Sequence, residues 1–562
     1  MPEPRKKNTW QKLLKGILYL FGCFVALFLI LAVYLYCVAI EYPPKPKDIS
    51  SEKLIRNEPS PGFYTIKNNW FRKSKSGLYE LYVEGQPFER GVVNGKLTKE
   101  LVVKQEEYFT EQIAKMVPSN FYRSFLKYFV AWFNRDLSKN VTEEYKEEIY
   151  GISQSASDKY QYIGSNYQRI LNYHGAHDIG HALQGMALVG CTSFGTWDAR
   201  SQDSTMIIGR NFDFYVNDDF ARDKIVAFYN PAQGYKFMTV TWGGFIGAVS
   251  GMNEQGLSIT INAAKSTLPT GAATPVSLVA REILQYAKNI NEAIEIAKKR
   301  KMFVSESLLI GSANDKKAVI IEKTPTTYDV YDPNSNYIVC TNHFQGKDLV
   351  NTKENIEQMH NSASFYRYNH LMDLLKNNGK NTVQKTVDIL RDTKGLNNEN
   401  IGIGNEKAIN QFIAHHSIVF EPQKLKVWVS TSPWQLGEFV CYDLKKVFAM
   451  RGMKKDQEII DSSLTILPDT FLKTQTYKNF VTYRNLVKRV NDNETVDPDS
   501  LIINNPQYYN AYIVAGDYSF RLKQFNKARI YYQGALTKVI ATKEEEISVK
   551  QKITRCNKKL GG

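Results

Sequence analysis

Hydrophobic residues form one long uninterrupted run near the start of the chain. The 25 residues from Gly16 to Ile40 carry no charge, and at about 1.5 Å per helical residue such a run crosses a hydrocarbon layer of about 30 Å. Basic residues precede the run and "EYPPKPKD" follows it. The positive-inside rule therefore predicts a cytoplasmic tail over 1–15, a transmembrane anchor over 16–40 and an extended spacer over 41–60, with the remainder outside the cytoplasm.

A cleaved signal peptide is the alternative for this segment, because signal peptides also begin with basic residues. The apolar run is longer than the core of an ordinary signal peptide, and no A-x-A cleavage site follows it. An uncleaved anchor is therefore favoured.

The pattern of apolar and polar positions then changes twice. Residues 61–190 begin with strand-like "GLYELYVEG" and continue with apolar residues at helical spacing, as in "SFLKYFVAWFNRDL". Residues 191–465 are rich in strand patterns, such as "TMIIGRNFDF" and "KFMTVTW", separated by a few helical segments. Runs of strands and runs of helices, rather than strict alternation, favour an antiparallel, layered α+β fold.

The region 466–562 is predicted to be helical. Within about 504–538, small residues alternate with aromatic ones over two helical stretches: Ala511, Gly516, Phe525, Ala528, Tyr532 and Ala535. This pattern resembles one tetratricopeptide repeat. Because at least three stacked repeats are normally needed for a stable solenoid, a single unit is expected to pack on the main domain. A surface for a protein partner is the alternative.

Composition excludes some classes of function. Lys and Arg number 72 against 57 Asp and Glu, which gives a net charge of +15 without a long basic block. Such a spread excess favours mild attraction to anionic membrane surfaces over nucleic-acid binding. Neither a zinc-finger spacing nor a phosphate-binding loop is found, so no cofactor and no metal are expected.

Four cysteines lie outside the apolar run: Cys191, Cys340, Cys441 and Cys556. They are widely separated and contain no C-x-x-C, so they are not a disulfide framework, although one disulfide between two of them stays open. Cys191 follows Gly190 directly. A thiol becomes a good nucleophile as the thiolate, which needs a base or a nearby cation.

A nucleophilic Cys191 needs a base that accepts the proton of its thiol. None of the eight histidines stands in a cysteine-protease signature. The alternative base is the α-amine of Cys191 itself, with a pKa near 8, which becomes available if the bond before it is cut. Gly190 suits such a cut, because no side chain obstructs attack of the thiol on the preceding carbonyl.

Four blocks in order resemble the cysteine N-terminal nucleophile (Ntn) hydrolases, a superfamily that includes the penicillin acyltransferases, the choloylglycine hydrolases and acid ceramidase. They are Gly190-Cys191, "GRNFDF", "GMNEQGLSITIN" and "VYDPNSNYIVCTNHF". The stretch "GLYELYVEGQPFERGVVNGKL" resembles the start of the penicillin-acyltransferase-like branch, which implies a pro-segment over 61–190. The resemblance implies a four-layer αββα sandwich as the catalytic domain over 191–465.

The resemblance also implies a set of catalytic residues: Cys191, Arg210, Asp213, Asn262, Asn342 and Arg367. The thiol would attack first the Gly190 carbonyl and then a substrate carbonyl, with a thioester intermediate. Arg210 would hold the thiolate, and Asp213 would orient the new α-ammonium. The side chain of Asn342 and the backbone near Asn262 would stabilise the oxyanion.

The register at "NSASFYRYNHL" stays open. Arg367 is the arginine that this segment offers, but some members of the superfamily place an arginine where this chain has Ser364.

Structural interpretations of the same residues also stay open. A lone cysteine is usually a small core residue, Arg210 with Asp213 would also make an ordinary ion pair, and Asn262 and Asn342 would suit turns at strand ends. In "HGAHDIGH" a group of three histidines could hold a metal: His174, His177 and His181. They precede the cut and lack an H-E-x-x-H pattern, so packing of the pro-segment is favoured. His415 and His416 are expected on opposite faces of a strand.

The sequence therefore predicts a membrane-tethered, exported, self-cleaving N-terminal-cysteine amide hydrolase or acyltransferase. The expected substrate is a linear N-acyl amide, either an N-acyl amino acid or an N-acylated lipid. Two alternatives remain: a catalytically silent membrane-held scaffold that recruits partners through its C-terminal repeat, and a thiol enzyme that never cleaves itself.

Overall fold

The computed structural model describes residues 8–175, 178, 190–265, 271, 273–302 and 304–561. The helices are α1 (Asn8–Ala39), α2 (Pro87–Leu97), α3 (Lys99–Met116), α4 (Asn120–Phe133), α5 (Leu137–Asn140), α6 (Glu143–Ser153), α7 (Asn166–His174), α8 (Asp218–Arg222), α9 (Val276–Tyr286), α10 (Ile290–Lys299), α11 (Lys353–Asn361), α12 (Ser364–Asn377), α13 (Val383–Leu390), α14 (Leu444–Ala449), α15 (Gln475–Asn491), α16 (Pro498–Asn504), α17 (Tyr509–Arg521), α18 (Phe525–Ala535) and α19 (Lys543–Lys559).

The strands are β1 (Asn57–Ser60), β2 (Phe63–Ile66), β3 (Asn69–Lys73), β4 (Tyr79–Gly85), β5 (Thr192–Asp198), β6 (Ser204–Phe212), β7 (Ile225–Pro231), β8 (Phe237–Thr241), β9 (Ser250–Asn253), β10 (Leu257–Ala263), β11 (Glu306–Ser312), β12 (Lys317–Lys323), β13 (Tyr328–Tyr331), β14 (Tyr337–Cys340), β15 (His416–Glu421), β16 (Lys426–Ser430), β17 (Phe439–Asp443) and β18 (Ile460–Ile466).

The N-terminal apolar run forms one long helix, as predicted. The stretch Trp10–Ala39 of α1 is 30 residues long and is apolar enough to cross a membrane, by length and composition. Its large apolar side chains are exposed to the surroundings rather than packed in a core. The helix begins several residues before the predicted anchor, because the basic residues that precede the apolar run are compatible with helix.

Two large sheets contain the strands of the described residues. The first has eleven strands in the order β1-β2-β3-β4-β7-β8-β9-β10-β11-β12-β13, and the second has seven in the order β14-β5-β6-β15-β16-β17-β18. Nearly every pairing is antiparallel, as the sequence predicts. The exception is the parallel pair β4–β7, with Tyr79 opposite Ile225 and Gly85 opposite Pro231.

This parallel pair joins the N-terminal region to the region that follows Cys191. Strands β1–β4 lie within the first sheet, and β4 contacts β7 along its whole length. The segment 61–190 is therefore part of the main sheet as well as rich in helices.

The two sheets pack face to face. Met206 and Ile208 on β6 share one apolar cluster with Phe228 on β7, Met238 on β8 and Leu309 on β11. Alternate residues of a strand point to opposite faces of its sheet. Ile207, between Met206 and Ile208, therefore lies on the other face of the second sheet.

Helices pack against both sheets. Ile207 packs in a second cluster with Leu371 on α12 and Val387 on α13. Outside the first sheet, Val279 and Ile283 on α9 pack among strand residues. The site described below lies where the start of β5 meets the first sheet.

The C-terminal helices pack on the preceding region. Phe480 on α15 lies 4.7 Å, centroid to centroid, from the ring of Phe412. Helices α17 and α18 form a close pair, because a Cβ added at Gly516 would lie 2.4 Å from the Tyr532 ring. Gly516 and Tyr532, two of the positions that the sequence analysis singled out, thus contact each other between the two helices.

Candidate active site

Cys191 lies directly before β5, after Gly190, and its thiol is fully buried. β5 pairs with β6 in an antiparallel register that places Ser193 opposite Arg210. This register brings the guanidinium to the thiol, and Arg210 Nη2 lies 3.6 Å from Cys191 Sγ. The expected nucleophile and the expected cation are therefore in contact, because a hairpin returns its second strand past the start of the first.

The side chain of Arg210 is held in place on several sides. It donates hydrogen bonds to the backbone carbonyl oxygens of Val249 and Ile261 and to the hydroxyl of Ser250. Its guanidinium carbon lies 4.2 Å from the centroid of the Phe212 ring. A guanidinium keeps its charge at any physiological pH, so these contacts fix a positive charge beside the thiol.

A buried pair of histidines contacts Ser250, the residue whose hydroxyl accepts a hydrogen bond from Arg210. His416 Nε2 lies 2.8 Å from Ser250 Oγ, and the Nδ1 atoms of His416 and His415 are 2.8 Å apart. Burial lowers the pKa of both histidines well below the usual value, so both rings are neutral at neutral pH. The expectation of opposite strand faces is wrong, because β15 begins at His416 and His415 belongs to the bend before it.

Asp213 follows the end of β6 and contacts Gly190, the residue before Cys191. Its backbone carbonyl accepts a hydrogen bond from the Gly190 N–H at 3.2 Å. Burial raises the pKa of the Asp213 carboxyl to about 7, against the opposing influence of Arg367 and Arg210. Its Oδ1 is buried and has no hydrogen-bond partner among the described residues, which leaves one acceptor open at this position.

Gln411 is a residue of the site that the sequence analysis missed. Its side-chain Nε2 donates to the carbonyl oxygen of Gly190 at 2.7 Å and to Asp213 Oδ2 at 3.2 Å. A Cβ on residue 190 would lie 2.6 Å from Gln411 Oε1, so a larger residue there would displace the end of the Gln411 side chain. No motif marks Gln411, because it lies in a loop more than 200 residues after the carbonyl that it contacts.

Asn262 and Asn342 connect the two sheets. Asn262, on β10, donates to the Cys340 carbonyl at 3.0 Å and accepts from the Ser193 hydroxyl at 2.7 Å. Asn342, which follows β14, donates to the Ala263 carbonyl at 3.0 Å. Both side-chain amides thus lie at the junction of the sheets, and that of Asn262 contacts Ser193, two residues after Cys191.

Arg367 and Ser364 reach the same asparagine from one face of α12. Arg367 Nη2 donates to Asn342 Oδ1 at 2.5 Å, and the Asn342 N–H donates to Ser364 Oγ at 2.8 Å. Residues three apart lie on the same side of a helix, so both positions of the open register point to the site. Arg367 also donates to the Glu406 carbonyl at 2.8 Å and is buried near Asp213.

The electrostatics of the uncut chain keep the thiol protonated. Burial raises the pKa of Cys191 to about 11, Arg210 opposes this, and Asp213 and Glu306 raise it further. The nearby guanidinium is therefore insufficient on its own, and ionisation of the thiol needs a group that accepts its proton.

Of the three histidines that precede Cys191 in "HGAHDIGH", the structure describes His174, and this side chain has a packing role. His174 Nδ1 donates to the Ile170 carbonyl at 2.8 Å, and its Nε2 accepts from the Ile246 N–H at 2.9 Å. Burial lowers the pKa of His174 to about 4, so the ring is neutral. His177 and His181 lie outside the described residues. Within the described ranges, no group of three or more His, Cys, Asp or Glu residues is placed to hold a metal ion.

A sequence profile of the acyl-coenzyme A:6-aminopenicillanic acid acyl-transferase family matches residues 200–432. This region of the chain is therefore similar to that family. The matched region contains five of the six expected site residues, and Cys191 lies just before it. The resemblance stated in the sequence analysis is thereby confirmed.

One curated relative and several solved structures resemble the chain. An uncharacterized protein of Archaeoglobus fulgidus is 22% identical over 404 residues, which are 64% of this chain and 65% of the relative. The chain therefore spans slightly less than two thirds of that relative's length.

Among solved structures, a Caenorhabditis elegans N-acylethanolamine-hydrolyzing acid amidase ortholog is 19% identical, covers 42% of this chain and 93% of its own, and has a TM-score of 0.30. A conjugated bile acid hydrolase variant from Clostridium perfringens is 13% identical over 48% of this chain and 95% of its own, with a TM-score of 0.30. Penicillin V acylase from Agrobacterium tumefaciens is 12% identical over 48% and 98%, with a TM-score of 0.27.

Proposed function

We propose that the chain is a self-cleaving N-terminal-cysteine hydrolase or acyltransferase that acts on linear N-acyl amides. The observation that supports this best is the set of contacts made by Gly190 and Cys191. Arg210 contacts the Cys191 thiol, Gln411 donates to the Gly190 carbonyl, and Asp213 accepts from the Gly190 N–H. These contacts place a cation beside the thiol and a donor on the carbonyl before it, which is what attack of the sulfur on that carbonyl requires.

Self-cleavage would begin with the thiol. Its proton passes to the open oxygen of Asp213, a carboxyl whose pKa of about 7 leaves part of it ionised at neutral pH. The sulfur adds to the Gly190 carbonyl carbon, and Gln411 donates to the developing oxyanion. The C–N bond then breaks, the Cys191 nitrogen takes the proton back, and a thioester remains. Water hydrolyses the thioester to a Gly190 carboxylate and a free thiol.

Cleavage would create the base for catalysis. The new α-amine of Cys191 has an ordinary pKa near 8, and its ammonium form is matched by the open Oδ1 of Asp213. The amine takes the thiol proton, the thiolate attacks the substrate carbonyl, and Arg210 stabilises the anionic sulfur. We assign oxyanion stabilisation to the amide of Asn342 and the backbone near Asn262. Arg367 positions Asn342. Water completes hydrolysis, and an amine completes acyl transfer.

The surroundings of the thiol favour an apolar acyl group. Cys191 belongs to the same apolar cluster as Phe212, Phe220, Trp242 and Phe245. Because the thiol is fully buried in the uncut chain, we propose that departure of the freed Gly190 end opens the site to substrate.

The domain organisation that we propose follows the sequence analysis. Face-to-face sheets with helices outside each of them support the four-layer αββα arrangement. We assign α1 as a membrane anchor with the N-terminus in the cytoplasm, on the basis of its apolar length and the basic residues before it. The helix pair α17 and α18 is proposed to be a tetratricopeptide-like unit in an appendage that packs on the catalytic domain.

The substrate class is tested with a panel of amides. The processed protein is incubated with N-acyl amino acids, N-acylethanolamines, conjugated bile acids and penicillin V, and the released acids are measured by mass spectrometry. We expect release from at least one N-acyl amide and loss to background in Cys191→Ala, because removal of a nucleophile costs on the order of 10⁶-fold. Complete cleavage without hydrolysis of any member would favour the alternative of a silent membrane-held scaffold.

A further inference from the structure

Helix α4 presents an aromatic surface that the protein leaves uncovered. None of its fourteen residues is buried. Phe121 is 86% exposed and Phe125 is 62% exposed, and Tyr128 and Phe129 continue the exposed side. These positions follow the spacing of one helix face. A soluble protein rarely leaves so many neighbouring aromatic side chains in water.

The charged residues of α4 indicate which kind of partner covers this helix. The helix contains two basic residues, Arg123 and Lys127, and no acidic residue. Arg123 donates to the carbonyls of Val117 and Pro118, and Lys127 donates to the Tyr162 carbonyl at 3.2 Å. Aromatic residues on one face with basic residues beside them are typical of helices that lie in the headgroup region of a bilayer.

The position of α4 beside α1 is the second reason to expect that lipid covers it. Helices α1 and α4 lie against each other. The Gln168 side chain, on α7, donates to the carbonyl of Ala39 at the end of α1, which holds the exit of that helix against the body of the protein. The exposed aromatic residues of α4 are therefore continuous with the apolar surface of α1. Tyr162 and Ile163, both exposed, extend the same side.

We propose that α4 lies in the lipid headgroup region of the leaflet from which α1 emerges, as a second membrane contact. This inference rests on the proposed anchoring of the chain by α1. With two attachments instead of one, the body of the protein is held against the bilayer rather than moving freely on a spacer. An amphiphilic N-acyl substrate would then reach the protein from the lipid.

The test uses the full chain in phosphatidylcholine vesicles that contain anionic lipid. A bimane fluorophore is attached to Phe125→Cys in a background with Cys23→Ser, Cys37→Ser and Cys191→Ala, and lipids with a doxyl quencher are added. Ile530→Cys on α18 is the matched control, because residue 530 is also an exposed apolar position, at 56%. We expect strong loss of fluorescence at position 125 and little loss at 530. Unchanged thermal unfolding of each variant confirms that the label reports on folded protein.

The remaining outcomes separate this inference from the anchoring on which it rests. Alkaline carbonate extraction is performed on the same vesicles. Release of the protein by carbonate would overturn the anchoring and the contact of α4 together. Retention with equal, weak quenching at both positions would overturn the contact of α4 alone. An apolar emission spectrum at position 125 without quenching would show that protein, such as a second copy of the chain, covers the helix instead of lipid.

Discussion

Gln411 provides a hydrogen-bond donor at the one carbonyl where self-cleavage would need it. The Nε2 atom lies 2.7 Å from the oxygen of Gly190, so the donor is in place before the thiol attacks. A donor that is already oriented costs no reorganisation when negative charge develops on that oxygen.

Replacement of this donor should slow processing without unfolding the protein. We expect Gln411→Ala to lower the rate of self-cleavage by on the order of 100-fold, as loss of one oxyanion donor does. The conversion of newly synthesised chain to fragments is followed by gel electrophoresis. Gln435→Ala is the matched control, because Gln435 is also buried but donates to the Leu390 carbonyl instead. Equal rates in both variants would remove Gln411 from the mechanism.

The sequence could identify only those site residues that belong to a recognisable motif. Cys191, Arg210 and Asp213 were expected together, and the hairpin of β5 and β6 places them together because the turn between the strands is short. Gln411 carries no motif and reaches the site only through the fold. The bonds of Asn262 to strands of the other sheet were likewise not predictable, since they depend on how two sheets face each other.

At the scale of elements, a buried ionic cluster joins the segment before the cut to the region after it. Glu148 on α6 accepts from Arg90 on α2 at 2.5 Å and from Arg281 on α9 at 2.8 Å. All three side chains are fully buried. The two guanidinium groups hold the pKa of the Glu148 carboxyl below its usual value despite burial.

Removal of the charge at Glu148 should destabilise the folded protein strongly. Glu148→Gln leaves the buried guanidinium of Arg281 without its counter-ion and that of Arg90 with only Glu144, at 3.3 Å, which costs about 3–5 kcal/mol of the free energy of unfolding. Glu143→Gln on the same helix is the matched control, and since Glu143 makes an exposed pair with Lys146 its cost should be about 0–1 kcal/mol. Urea unfolding of the purified proteins measures both. Similar unfolding midpoints for the two variants would show that the cluster does not hold these elements together.

The limits of prediction at this scale have a physical origin. Alternating apolar positions predicted strands after Cys191, and apolar residues at helical spacing predicted helices before it. The membership of β1–β4 in the first sheet was not predicted, because it depends on the pairing of Tyr79 with Ile225, far apart in the chain. Hydrophobic periodicity describes the face that a strand buries and contains no information about its partner.

At the scale of the whole molecule, the parallel pair β4–β7 crosses the expected cut. Seven residues of β4 are paired with β7. The buried Glu148 cluster also links the segment before Gly190 to the segment after it. Cleavage after Gly190 would therefore break the chain without separating the strands, so the fragments should remain one particle.

The most direct measurement is the mass and N-terminal residue of the purified protein, under native and denaturing conditions. We predict one particle under native conditions that separates on denaturation into residues 1–190 and 191–562, with Cys191 as the new N-terminus. The Cys191→Ala protein should stay one chain. A full-length chain with undiminished amide hydrolysis, or a new N-terminus at any other residue, would contradict the account.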